Sequence, residues 1–312
     1  MLIELDSKEY RKFFSSDPHP FVSDLFIGLN KEKAERILRL IEDSNKPAMG
    51  LIAGVKEGVV LSPFSAPFGG FHFRKDIMYI SEIDHYISLL QKHIISQGLQ
   101  RIEIILPPDI YHLTFNTKVV SSLIRNGFQP TLPEITNWVN LEQFDGSFTQ
   151  RNSREYYRQA ERNELSFDLT TDQDEKKLIY DLIRENRAKF NRPIYMTFAD
   201  ILNMDSLWPV DYFKVLSKDG AMVASAIFYR SHPEICYAVF WGDNELGRPL
   251  RAMDYLTFQL WSYYKAMGYK YIDLGISTEK GEPNEGLLRF KESHEATSSL
   301  RYKFVWNVNG RQ

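Results

Sequence analysis

Three stretches of this chain carry residue types at spacings that support chemistry. The first runs from Trp241-Gly242 through Asp243-Asn244-Glu245-Leu246-Gly247-Arg248-Pro249-Leu250-Arg251, out of a predicted strand and into a predicted helix. A glycine turn that delivers Arg248 and Arg251 to a helix N-terminus suits phosphate oxygens, because unpaired N–H groups and the helix dipole both favour an anion there. A surface loop with two solvated arginines fits the same residues. The second stretch is Arg151, Arg154, Arg158 and Arg162, whose spacing makes a stripe along one helix face. With Tyr156 and Tyr157 beside it, Arg154 and Arg158 could meet the phosphates of an RNA or a nucleotide-linked substrate, or simply pair with Glu155, Glu161 and Glu164. The third is Ser62-Pro63-Phe64-Ser65-Ala66-Pro67-Phe68-Gly69-Gly70-Phe71. Its phenylalanines, on a loop stiffened by proline, can line an apolar cleft while Gly69 and Gly70 let a ligand approach the backbone; a packed Ω-type loop sealing a core is the other reading. Ser62, Phe64, Phe68, Gly69, Gly70 and Phe71 are its candidate ligand contacts.

Other chemistries lack their signatures. There is no G-x-x-x-x-G-K-[ST] phosphate loop, no G-x-G-x-x-G dinucleotide turn and no G-x-S-x-G elbow. The histidines, at 19, 72, 85, 93, 112, 232 and 294, include no pair at the spacing of helical metal ligands, so no metal site is expected.

The elements that must hold these residues follow a repeated order. A helix is predicted over Asn30 to Glu42 with Asn30 as its N-cap, from the shared face of Ala34, Ile37, Leu38 and Ile41. Met49 to Val55 and Val59 to Leu61 read as a hairpin about Lys56-Glu57-Gly58. Next come a helix over Ser81 to Gln97, closed by Gly98, a strand over Arg101 to Leu106, and a helix over Lys118 to Arg125. After Gln150 the expected helices are Ser153 to Asn163 and Asp174 to Phe190, then strands at Tyr212 to Leu216, Met222 to Tyr229 and Cys236 to Trp241. The helix Ala252 to Met267 and the strand Lys270 to Leu274 complete the series. Lys218-Asp219-Gly220 answers Lys56-Glu57-Gly58, and Ile272-Asp273-Leu274 follows Gly268 at the offsets at which Ile102-Glu103-Ile104 follows Gly98. Each half ends in a β-rich segment, Ile135 to Leu141 and Leu300 to Val308. One fold used twice, over residues 1–150 and 151–312, accounts for this, although helix-glycine-strand junctions are also common in their own right.

Composition sets the outer bounds. The 312 residues are 43% apolar and 25% charged, which excludes a disordered or fibrous chain. With 38 basic and 41 acidic residues the net charge is −3, so no global field holds DNA and any polyanion must find a local patch. The single Cys236 lies in an apolar run, no signal peptide or transmembrane segment is evident, and a cytoplasmic protein is expected.

The string strand, Gly242-x-x-x-x-Gly247-x-Pro-x-x-Ala, helix, Gly268, Tyr271-Ile-Asp-Leu-Gly resembles the Gcn5-related N-acyltransferase core, and Leu287-Leu288-Arg289-Phe290-Lys291 after it looks like the L-x-x-F-K motif of the Fem family of aminoacyl and acyl transferases. The resemblance implies an α+β protein of two tandem Gcn5-related N-acyltransferase-like lobes, with mixed sheets flanked by helices. It implies transfer of an acyl or aminoacyl group, from acyl-CoA or aminoacyl-tRNA as co-substrate, to the primary amine of a small molecule or peptide, a cell-wall precursor in the family's best-known members. An acyl-CoA-dependent N-acetyltransferase and an inactive ligand-binding tandem module are the alternatives, and tRNA is a partner only in the first reading. Phe290 and Lys291 would then stand at the donor carbonyl, with the Lys291 cation stabilising developing charge, and Asp273 would take or hold the amine proton or else cap the following turn. Trp241, Gly242, Gly247, Arg248 and Arg251 would bind the donor, and Ser62, Phe64, Phe68, Gly69, Gly70 and Phe71 would bind the acceptor. The family's usual aromatic and glycine after this motif are replaced here by Ser293-His294-Glu295.

Overall fold

The computed structural model describes residues 1–74, 78–308 and 310. They form two units, the first comprising Met1–Ile135, Lys280–Glu282 and Ser299–Gln312, the second Thr136–Glu279 and Pro283–Ser298.

In the first unit the strands are β1 (Leu2–Glu4), β2 (Arg36–Glu42), β3 (Met49–Lys56), β4 (Val59–Ser62), β5 (Phe71–Phe73), β6 (Arg101–Ile105) and β7 (Gln129–Pro130). The helices are α1 (Ser7–Phe13), α2 (Asp24–Asn30), α3 (Ile80–Ser96) and α4 (Asp109–Arg125). The second unit is built on β8 (Glu134–Asn140), which begins at the boundary, α5 (Arg151–Arg162), β9 (Ser166–Thr170), α6 (Gln173–Lys189), α7 (Phe198–Met204), β10 (Val210–Leu216), β11 (Met222–Tyr229), β12 (Ile235–Asp243), α8 (Ala252–Ala266) and β13 (Tyr271–Ile276). A short ribbon of β14 (Thr278–Glu279) and β15 (Glu282–Pro283) follows, then α9 (Glu285–Ser293), β16 (Ala296–Arg301) and β17 (Lys303–Asn307).

The first sheet runs β1-β2-β3-β4-β6-β17-β7 with β5 on β3, and the second runs β16-β8-β13-β12-β11-β10-β9. Each contains an antiparallel hairpin leading into one parallel pair, β4–β6 in the first and β12–β13 in the second. A parallel pair needs a crossover, and α3 and α8 supply it. Ile83, Tyr86, Ile87, Leu90 and Ile94 bury one face of α3; Leu256, Leu260, Trp261 and Tyr264 do the same for α8. Gly98 and Gly268, at φ 66° and 86°, end these helices in the left-handed conformation that a side chain disfavours. The doubled α+β architecture is thus present in the chain itself.

Three differences from the sequence reading have physical causes. The helix expected over Asn30 to Glu42 is a helix that stops at Asn30 and a strand, β2, held between β1 and β3. Leu38 and Leu40 enter the main core of the unit, whereas Ile37 and Ile41 pack with Tyr10, Phe14, Ile27 and Ile52 on the other face. Burial on both faces fills the positions that one helical stripe would also fill. Second, the Lys56-Glu57-Gly58 turn joins β3 to β4, but Lys218-Asp219-Gly220 joins β10 to β11, so these turns are not equivalent in the repeat; the Gly98 and Gly268 junctions are. Third, the two closing segments do not stay in the halves they end. β8 pairs with β13 in the second sheet, and β17 lies between β6 and β7 in the first. A cut at residue 150 therefore does not follow the packing.

Candidate functional site

The site is made where two strands part. β12 and β13 share only three register pairs, Ile235↔Tyr271, Cys236↔Ile272 and Tyr237↔Asp273. Just beyond the last pair each strand carries a bulge against its outer neighbour. On β12 the register with β11 passes from Phe228↔Ala238 to Ile227↔Phe240, leaving Val239 as the extra residue. On β13 the register with β8 passes from Asp273↔Trp138 to Gly275↔Asn137, leaving Leu274. A bulge bends its strand, and two bulges facing away from each other open a V. A cleft of about 590 Å³ fills it, walled by Tyr237 to Trp241, Leu274 to Ile276, residues 186, 187, 190 and 192 after and on α6, and Asn284, Gly286, Leu287 and Lys291 at α9. That volume suits a small-molecule portion of a substrate. The β12 ladder edge from Ala238 onward has no β13 partner in register and borders this space.

Lys291 governs the β13 wall. It is 1% exposed, and its Nζ donates to the carbonyls of Leu274, Gly275 and Ile276 at 2.9, 3.0 and 3.0 Å. Consecutive carbonyls of a regular strand alternate in direction. Here Gly275 at φ 66°, next to the bulge, lets three of them converge on one ammonium. Burial pulls the Lys291 pKa down to about 7, with Asp273 opposing and Arg187 adding to the shift. All three donors of the ammonium are thus committed to β13. The structure gives Lys291 the work of pinning the strand, where the sequence reading gave it a developing oxyanion.

The remaining candidates divide in the same way. Asp273 is 1% exposed and accepts from the Gly275 N–H at 2.8 Å; it braces the β13 bend and is absent from the cleft wall. This contact is the one that its turn-capping reading requires. Phe290 is likewise not among the cleft-wall residues; its ring packs on Trp241 (5.8 Å) and His294 (4.2 Å). His294, buried, bonds Asp254 on α8 at 3.1 Å and the Phe290 carbonyl at 2.7 Å, so the residues that depart from the family pattern anchor α9. Trp241 does line the cleft, its ring tilted against that of Trp261.

In the glycine turn, Gly242 is a packing residue: a Cβ there would come to 3.0 Å from Asn186, whose amide donates to the Asp243 carbonyl. Gly247 is likewise required by space, since a Cβ would lie 2.4 Å from the Val223 carbonyl. Its N–H is already bonded to Asn244, at 3.0 Å to the side-chain oxygen, so it is not an open phosphate donor. Arg248 lies over the Phe190 ring at the cleft wall, and Arg251 over Tyr156, 3.8 Å from the ring centre. On α5, Arg154 donates to the carbonyls of Phe148 and Thr149, and Arg158 and Arg162 both face Glu155. Arg154 is thus held by backbone carbonyls ahead of α5, and Arg158 and Arg162 by Glu155 on the same helix.

The acceptor candidates occupy the first unit's counterpart of the V. Along β6 the pairing with β4 runs to Ser62↔Ile104, and the Gly69 N–H then takes the next carbonyl, that of Ile105, at 2.8 Å. The Ser62 hydroxyl is bonded to the Ile52 carbonyl and the Gly70 N–H. Phe68 is enclosed by His19, Phe21 and Tyr111, Phe71 packs on Tyr86, and the Phe64 ring rests on Gly54. Thus Ser62, Phe68, Gly69, Gly70 and Phe71 are buried and Phe64 half-buried, as in the packed-loop reading, with Phe71 also bordering a small cavity beside His19 and Tyr111.

Sequence reasoning missed Arg187, Arg192, Val239 and Gly275. The first two had a signal, a basic residue on each side of Phe190 just where an amphipathic helix ends; the bulge at Val239 sits in a uniformly apolar run and had none.

No family model matches the chain, and no curated protein does. Solved structures do. FemX aligns over 99% of this chain and 98% of its own, with TM-score 0.70 and 11% identity. L-PGS from Bacillus licheniformis covers 96% of this chain and 92% of its own at TM-score 0.59 and 14% identity. A tandem GNAT protein from the clavulanic acid biosynthesis pathway covers 99% and 98% at TM-score 0.56 and 8% identity. The chain therefore has the Fem-like tandem Gcn5-related N-acyltransferase fold that its F-K motif led us to expect. At such identities the likeness is one of fold. Among the described residues no helix is long and apolar enough to cross a membrane.

Proposed function

We propose that this protein transfers an acyl or aminoacyl group from an activated donor to a primary amine, with the second-unit cleft as the transfer site. The observation that carries this reading is the parting of β12 from β13 beyond Tyr237↔Asp273. An extended donor chain laid against the open β12 edge gains main-chain hydrogen bonds that a strand would otherwise make. Its carbonyl oxygen is then aimed at backbone N–H groups, which stabilise the negative charge that grows on that oxygen as the amine attacks. Trp241, Phe240 and Leu287 exclude water around the thioester or ester, and holding donor and amine together supplies much of the acceleration without a covalent enzyme intermediate. Lys291 acts as a positioning residue, keeping β13 bent out of the donor's path.

Fold-level likeness to FemX and L-PGS supports an aminoacyl donor, and likeness to a tandem GNAT protein supports an acyl donor. A cell-wall precursor as acceptor rests on the Fem resemblance alone. The test is Gly286→Trp. Gly286 is exposed on the cleft wall, and a Cβ there would meet nothing nearer than the Asn284 side-chain oxygen at 3.9 Å, so the indole should be accommodated at little cost in stability. Transfer from acyl-CoA and from aminoacyl-tRNA to a panel of amines is expected to fall at least tenfold with the melting temperature unchanged. Unaltered transfer would place the chemistry elsewhere.

A further inference from the structure

The cleft begins where the pairing of β12 with β13 ends, and Tyr237↔Asp273 is the last pair in register. Asp273 is not part of the cleft wall, but Tyr237 is, so a tyrosine stands at the apex of the V. Its neighbour Cys236 is fully buried in the core with Leu260, Trp261 and Tyr264 of α8. Alternation along the strand therefore sends Tyr237 out of the other face of the sheet, toward the cleft. The side chain also crosses the V. Its hydroxyl comes within 3.8 Å of the place a Cβ would take on Gly275, which lies on the opposite wall two residues beyond Asp273. The closed end of the cleft is thus a phenol reaching from β12 to β13. Behind it lies the Tyr229 ring, 6.4 Å away between centres, and behind that Trp208, a further 5.7 Å on; these two are 3% and 9% exposed. A packed interior has no room to receive a displaced ring, so this backing holds the phenol in place.

Resting on the transfer reading above, we infer that Tyr237 sets the size of the transferred group: its ring closes the cleft, admitting a short acyl chain or a small aminoacyl side chain and excluding a long one. A tRNA, or the nucleotide of a CoA thioester, is too bulky to pass between two strands. The group to be transferred is therefore the end of the donor that enters first along the β12 edge, and it is the end that meets the phenol.

The experiment is calorimetric titration of the full chain with two pairs of non-reactive donor analogues: the S-ethyl and S-octyl thioethers of coenzyme A, and adenosine carrying alanine or phenylalanine through a 3′-amide. The native chain is expected to bind the smaller member of one pair roughly tenfold or more tightly than the larger, the discrimination a filled pocket gives against added methylenes. Tyr237→Ala is expected to bind both members of that pair alike, and Tyr237→Phe, which keeps the ring, to retain the native preference. Tyr237→Leu, gentler to the fold, is expected to move partway toward Tyr237→Ala, and it decides the matter if Tyr237→Ala no longer melts cooperatively. If the analogues bind but the native chain does not favour the smaller members, or the alanine and leucine variants keep its preference unchanged, the inference is overturned and the transfer reading stands. If no analogue of either pair binds, the transfer reading falls and takes the inference with it.

Discussion

Replacing Lys291 with methionine is expected to remove a rise in stability with pH that the native chain shows between pH 7 and pH 9. In the folded protein burial holds the lysine pKa at about 7, against 10.5 as its ordinary value. Between these values the unfolded chain binds a proton that the folded chain does not, so raising the pH favours folding. The contribution is complete above the unfolded pKa and lost as the pH falls through the folded one. Relative to Lys291→Met, the native chain should gain about 2 kcal/mol from pH 7 to pH 9, close to the limiting slope of about 1.4 kcal/mol per pH unit. Urea unfolding of both proteins at pH 6.5, 8 and 9 measures this. A difference that stays flat, or falls, would show that the ammonium is not desolvated as the geometry requires. The same variant leaves the carbonyls of Leu274, Gly275 and Ile276 without their shared donor, so the bend of β13, and with it any transfer activity, should be lost at every pH.

The second large effect concerns the exchanged strand. A chain ending at Ser298 lacks β17, which lies between β6 and β7 and places the fully buried Phe304 in the core of the first unit. Truncating one such phenylalanine to alanine costs about 3–5 kcal/mol, and removing the strand also strips the β6 edge of its ladder partners. Such a loss approaches the whole stability of a domain. The shortened chain is expected to lose protease resistance across residues 1–135 and to melt without a cooperative transition for that region. Protection of that region unchanged from the full chain would mean that β17 does not complete the first sheet.

What the sequence made legible was what is local. Helix α8 and its Gly268 junction follow from an amphipathic stripe ended by a residue suited to positive φ, and β11 falls where its apolar run lies. What escaped is set by pairing at a distance. Nothing in Ile135 to Leu141 or Leu300 to Val308 says which sheet each joins, because each is a short β-rich run whose pairing and register are decided by its partner. The site shows the same split. Lys291 could be located by its motif, yet its commitment to three carbonyls depends on Gly275 and on a bulge that no residue type marks. The Ser62 to Phe71 loop was recognised as unusual. Its role as the filler of the first unit's counterpart cleft appears only once β4 and β6 are seen side by side.

The account rests on the open edge of β12 receiving the donor, and hydrogen–deuterium exchange with and without a non-reactive acyl-CoA or aminoacyl-adenosine analogue tests this most directly. Slowed exchange confined to amides 238–243, with a smaller effect at 274–276, is the predicted result. If a bound analogue leaves those amides unchanged and protects others, the donor lies elsewhere and the proposal is wrong.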